Sequence, residues 1–263
     1  MASTEVATNM ETKDRPFGPS YIVEPKSEHT HTAVMLHGRG STGKEFAEEF
    51  LESTLSDGCS LSEKLPGCRW VFPSSQELWS TMFQEDMPAW FEAHSLTDIT
   101  ARQDLQVSGI RVSVDHVTAI VHEEIRRLDG NPQKLLLGGI SQGGAVVLWT
   151  LLCQQDPAMV AGAVVVASTW LPFAANIDRT LARQPGADEI RETEFDRFVK
   201  HMIAIKAYPD VELGRQAARI FIQAGLPVEW KEFSDAEEEG HWFKIPDEMD
   251  DIHSFLGRVG WLG

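Results

Sequence analysis

The chain has 263 residues, ordinary for a single α/β domain with a sizeable core, and sets 23 Lys and Arg against 40 Asp and Glu. A net charge of −17 argues against nucleic acid and anionic membrane surfaces as partners. Cys59, Cys68 and Cys153 form no C-x-x-C pair, the first 15 residues lack a signal peptide's apolar core, and no apolar run approaches the roughly 20 residues of a membrane span. The composition reads as a reduced, soluble, cytoplasmic protein.

Residues 1–16, rich in Thr, Glu and Lys, are expected to form a disordered tail, with one domain over 17–263. Residues 33–36 read as a short buried strand, and 69–72 as a second, closed by Pro73. Residues 107–127 are helical, with Val107, Ile110, Val114, Val117, Ile120, Val121, Ile125 and Leu128 on one stripe. A strand over 134–140 and another over 161–167 follow. The remaining elements are a helix over 211–224, a strand over 228–233 and a last helix over 248–256. Strands separated by helices predict a mostly parallel sheet covered on both faces. Trp149 and Trp230, placed in a helix and a strand, are expected in the core.

Residues 138–144 read Gly-Gly-Ile-Ser-Gln-Gly-Gly, between the apolar runs Leu135-Leu136-Leu137 and Ala145-Val146-Val147-Leu148. This is G-x-S-x-G in a strand-to-helix setting. A nucleophilic serine on a sharp turn needs small neighbours so that its hydroxyl stands clear of the sheet edge. Ser141 would also sit at a helix N-terminus, where backbone N–H groups face a developing oxyanion.

A serine nucleophile needs a base, and in this fold the order is Ser, acid, His. Of nine histidines only His201, His241 and His253 follow Ser141. His241 lies in Glu-Gly-His-Trp, in a loop between the last strand and the last helix, where a base must project over the sheet edge. His253 falls inside the terminal amphipathic helix. Upstream, His37-Gly38-Arg39-Gly40-Ser41 follows the first strand, and such a turn can present a second N–H to the same oxyanion.

Together these pieces resemble the acyl-protein thioesterase, or phospholipase/carboxylesterase, family of α/β-hydrolases. The matching stretches run from Leu36 to Gly43, Ala89-Trp90-Phe91-Glu92, Leu137 to Ala145, Gly240-His241-Trp242 and Pro246 to Ile252. The resemblance covers about residues 17–257. It implies an α/β-hydrolase fold, with Ser141 as nucleophile, His241 as base, and the backbone N–H groups of Arg39 and Gln142 as the oxyanion hole. It also implies long-chain acyl thioester or ester substrates, S-acylated proteins among them, and no cofactor or metal.

The sequence departs from the family at the acid. The family carries it eight residues before the glycine that matches Gly214, and Lys206 stands there. Phe195, Phe198, Val199, Met202 and Ile203 follow a helical stripe instead of a strand. Residues 195–207 are therefore expected to be helical or irregular, leaving the sheet one parallel strand short. The strand at 228–233 would then pair with 161–167 or stand off from it. A lysine cannot stabilise an imidazolium as a carboxylate does. Asp210 is the nearest substitute; Asp196, on the polar side of the stripe, and Asp235, in the His loop, are the others. An alternative reading is a catalytically weak or inactive relative that binds acyl chains or a protein partner.

Trp90, Trp170 and Trp242 are candidates to line an acyl pocket, with core packing as the competing account. His29 and His31 have no third ligand at suitable spacing and read as a solvated strand end. Glu237, Glu238 and Glu239 read as a solvated acidic loop.

Overall fold

The computed structural model describes residues 15–95, 98–154, 156, 159–182, 193–202, 213–223, 226–233 and 242–261. Its frame is a five-stranded sheet in the order β1 (Tyr21–Val23), β3 (Cys68–Phe72), β2 (His31–Leu36), β6 (Leu135–Ile140), β7 (Ala163–Ala167). The edge strand β1 runs antiparallel to β3, and the remaining pairs are parallel. Alternation along β2 divides the core into two layers, as the two-residue side-chain period requires. Ala33 and Met35 join Phe46, Phe50, Trp70 and Phe72 in one layer. Val34 and Leu36 join Ile110, Val114, Val117 and Leu137 in the other.

Helices cover both layers. The first is closed by α1 (Gly43–Glu52), the single turn α2 (Leu61–Lys64) and the terminal α8 (Asp247–Arg258). The second is closed by α3 (Gln106–Arg127), α4 (Ser141–Cys153), α5 (Ala174–Ala182), α6 (Glu194–Met202) and α7 (Leu213–Gln223). A capping box starts α1: the Thr42 hydroxyl accepts from the Glu45 N–H, and the Glu45 carboxylate from the Thr42 N–H. Every residue of α4 from Gln142 to Leu152 is buried, as expected for a helix at the centre of a layer. Trp149 lies there as anticipated, its indole N–H donating to the Pro172 carbonyl at 3.2 Å. Among the described residues no helix is long and apolar enough to cross a membrane.

A hairpin of β4 (Gln76–Ser80) and β5 (Glu85–Ala89) stands apart from the sheet. The segment before β1 straps across its base. Phe17 bridges to Gln76 and stacks on His116, with ring centroids 3.7 Å apart, while Arg15 pairs with Asp86 at 2.6 Å. Residues 1–14 of the expected tail lie outside the described residues.

Three expectations are corrected. Residues 228–233 form no strand. Their alternating charges are taken up by α8 instead: Glu229 pairs with Arg258 at 2.6 Å and Lys231 with Asp251 at 3.3 Å. Trp230 is consequently not core but 48% exposed, its indole N–H donating to Glu232 at 2.9 Å. Asp196 does not lie on a polar face; it is buried where α5 packs on α6. It accepts from the Asn176 amide at 2.9 Å, the Thr193 N–H at 3.1 Å and Arg179 at 3.1 Å. Burial alone would raise its pKa, but these donors outweigh it and hold the carboxyl at about 2.

The described part of 195–207 is helical, within α6, and 203–207 lie outside the described residues. Among the described residues the sheet ends at β7.

Candidate active site

The site is built where β6 turns into α4. Ser141, the first residue of α4, has φ = +52°, the left-handed region that costs a non-glycine residue on the order of 1–3 kcal/mol. The preceding Ile140 is still extended, so the chain reverses within one residue. The flanking glycines make this possible. A Cβ on Gly143 would run into the carbonyl oxygens of Leu36 and His37, and one on Gly139 would sit 2.8 Å from the Gly143 carbonyl carbon. On the far side, the Thr169 hydroxyl donates to the Ser141 carbonyl at 2.7 Å.

The loop after β2 lies alongside. A Cβ on Gly38 would stand 3.5 Å from the Ser141 Cβ, so the His37-Gly38-Arg39 turn borders the serine. The Arg39 guanidinium is half-buried, donating to the Ala93 carbonyl and the Ser80 hydroxyl, each at 2.8 Å, and lying 5.3 Å from the Phe83 ring centroid. The Gly40 N–H donates to the Pro88 carbonyl at 2.8 Å, so the β4–β5 hairpin is bonded to this loop.

Beneath the loop lies a buried polar array. His37 is wholly buried; its Nε2 accepts from the Ser75 N–H at 3.0 Å, which leaves the proton on Nδ1, 2.6 Å from the Gly38 carbonyl. Burial pushes its pKa down to about 4, keeping the imidazole neutral. Trp90, also wholly buried, donates its indole N–H to the His37 carbonyl at 2.9 Å. The Gln142 side chain accepts from the Trp90 N–H at 2.9 Å and donates to the Phe91 carbonyl at 2.8 Å.

Of the three tryptophans anticipated at an acyl pocket, Trp90 is thus enclosed on all sides. Trp170 is half-buried, edge-on to Phe91 with centroids 6.1 Å apart. Trp242, also half-buried, lies edge-on to Phe46 and Phe243 at 5.8 and 5.4 Å. His241, Lys206, Asp210, Asp235 and the 237–239 glutamates lie outside the described residues. His201 lies in the last turn of α6 and His253 in α8. His29 accepts from or donates to the Thr32 hydroxyl at 2.9 Å, and His31 lies over Trp261 with centroids 4.5 Å apart. Sequence reasoning passed over the His37 ring and the Gln142 amide. The available signal was a histidine directly after an apolar strand, and a glutamine enclosed by glycines in an otherwise apolar segment.

A family model described as phospholipase/carboxylesterase matches residues 18–257. Acyl-protein thioesterase 1 of Mycosarcoma maydis is 32% identical over 258 residues, covering 90% of this chain and 95% of the relative. Acyl-protein thioesterase 1 of Gibberella zeae is 26% identical over 242 residues, covering 88% and 92%. Among solved structures, Zea mays acyl-protein thioesterase 2 superposes with a TM-score of 0.56 at 23% identity, over 94% of this chain and 100% of that one. Arabidopsis thaliana SOBER1 gives 0.60 at 21% identity, over 87% and 98%. These two structural likenesses establish the α/β-hydrolase fold.

Proposed function

The chain belongs to the phospholipase/carboxylesterase family, and from that premise we propose that it cleaves acyl thioesters or carboxylic esters with Ser141 as nucleophile and His241 as base. The observation that carries the reading is the left-handed Ser141 at the β6–α4 junction, held between the close-packed Gly139 and Gly143 of G-x-S-x-G. Ser141 Oγ attacks the acyl carbonyl while His241 takes its proton and passes it to the leaving thiolate or alkoxide. Water then attacks the acyl-enzyme, with His241 again moving the proton, and releases the carboxylic acid. The tetrahedral oxyanion is received by the N–H groups of Arg39 and Gln142. Gln142 is the second residue of α4, where helix N–H groups have no partner within the helix.

No cofactor enters this chemistry. Trp170 and Trp242 are the half-buried tryptophans that can face an acyl chain; Trp90 belongs to the frame beneath. The acyl-protein thioesterases among the relatives make S-acylated proteins the substrates to try first, beside lysophospholipids and small esters. A reducing compartment such as the cytoplasm fits three free cysteines. The domain is taken as 17–263, preceded by a tail. Lys206, at the family's acid position, favours low turnover, with Asp210 the substitute carboxylate to test.

Labelling with a fluorophosphonate probe tests the assignment. Wild type should label, and Ser141→Ala and His241→Ala should abolish or sharply reduce labelling. Strong labelling that survives in Ser141→Ala overturns the reading.

A further inference from the structure

We infer that His37 is the positioning residue for the Arg39 oxyanion donor, held in place by Trp90, which links it to the Gln142 donor; the inference rests on the reading of Ser141 as nucleophile. The Gly38 carbonyl and the Arg39 N–H belong to one peptide unit. That unit is planar and trans, so a bond that fixes its oxygen also fixes its N–H, pointing the opposite way. The His37 Nδ1–H makes that bond at 2.6 Å. The ring is itself held from its other nitrogen by the Ser75 N–H at 3.0 Å, so it cannot turn about its χ angles without losing two hydrogen bonds.

Trp90 fixes the next peptide back. Its indole N–H holds the His37 carbonyl at 2.9 Å, its backbone N–H holds the Gln142 side-chain oxygen at 2.9 Å, and its carbonyl accepts from Ser113 at 2.6 Å. The Gln142 amide closes the array on the Phe91 carbonyl at 2.8 Å. Both proposed donors are therefore tied to the same tryptophan, one through His37 and one through the Gln142 side chain. His37, Ser75, Trp90, Phe91, Ser113 and Gln142 are buried and Gly38 half-buried, so most of these bonds, once broken, leave a polar atom without water to replace the partner. The geometry sets the distance between two N–H groups on separate elements, which is what stabilising one oxyanion with two donors requires. His37 and Trp90 do not touch the reacting atoms; they act through the peptide and through each other.

The test uses the full chain with a p-nitrophenyl ester and a trifluoromethyl ketone that forms a tetrahedral adduct. Variants are His37→Gln, which can accept from Ser75 but has no donor placed for Gly38, His37→Asn, which keeps a donor near Nδ1, and Trp90→Phe, which keeps an aromatic ring but removes the indole N–H together with part of the buried ring volume. His37→Gln should lower kcat about 10²-fold, the scale of losing one oxyanion donor, with KM changed less than twofold. His37→Asn should recover at least tenfold of that loss. Trp90→Phe should lower kcat about tenfold, and ketone affinity should fall in step with kcat. Unchanged kcat in Trp90→Phe overturns the inference, whether or not the His37 variants fold. So does equal loss in His37→Gln and His37→Asn, or a loss lying wholly in KM. Ser141→Ala, run beside them, must be inert; its retaining activity would overturn the nucleophile assignment instead.

Discussion

The Thr169 hydroxyl donates to the Ser141 carbonyl at 2.7 Å, tying the loop after β7 to the turn that strains the proposed nucleophile. The contact is close-fitted, since a Cβ on the adjacent Gly144 would fall 2.8 Å from the Thr169 side chain. Thr169→Val keeps the shape and deletes the donor. The expected cost is about 1 kcal/mol, or a fall in Tm of roughly 2–4 °C for a domain of this size. A thermal melt with Tm unchanged would show that the bond contributes nothing.

The φ of +52° at Ser141 makes a second, separable prediction. Ser141→Ala and Ser141→Gly should both be inactive, but Gly tolerates the left-handed region without a Cβ clash. The Gly variant should be more stable than the Ala variant by ~1–2 kcal/mol in urea denaturation. Equal stability would mean that the turn relaxes when the hydroxyl is gone.

Acid should weaken the fold through His37. Its native pKa of about 4 lies below the ordinary 6.5, because burial disfavours the imidazolium. Between those values the unfolded chain binds a proton that the native chain does not. The contribution is thus fully present above pH 6.5, falls as pH drops towards 4, and levels off below. The loss amounts to about 3 kcal/mol. Burial lowers the pKa of His31 and His116 as well, and these add to the effect with the same sign. Urea midpoints of wild type and His37→Asn across pH 4–7 should converge towards the acid end; parallel curves would contradict the assignment.

The elements around Ser141 were legible because single constraints dictate them. An apolar run, a segment of four glycines and a serine around Ile140 and Gln142, and a second apolar run leave little choice but a buried strand, a tight turn and a buried helix. The α3 stripe is equally unambiguous. The hairpin was not legible, since Glu85-Asp86-Met87-Pro88 carries no strand signal and pairs only because β4 lies opposite. Residues 228–233 failed for the opposite reason. Their alternation is that of a half-buried strand, yet Glu229 and Lys231 face partners on α8 that lie far on in sequence. Asp196 was misplaced because its partners Asn176 and Arg179 lie on α5, which the periodicity did not reveal. Trp90 and His37 show the same limit: their roles depend on which backbone groups the fold brings to them.

The burial of Asp196 sharpens the question of the acid. Its carboxylate is committed to Asn176, Thr193 and Arg179, so Asp196→Asn should cost about 1–3 kcal/mol in stability while leaving kcat per folded molecule unchanged. With Asp196 removed, Asp210 and Asp235 stay as candidates, and the proposed place of Lys206 at the family's acid position predicts an imidazole without carboxylate support. In a triad enzyme that support is worth about 10⁴ in rate, through tautomer and charge stabilisation. Turnover should therefore be low in the wild type, Lys206→Asp should raise kcat by at least tenfold, and Asp210→Asn should change it little. These rates are read on the same ester substrate, normalised to the folded fraction. A loss approaching 10³-fold in Asp210→Asn, with Lys206→Asp without effect, would instead make Asp210 the working acid.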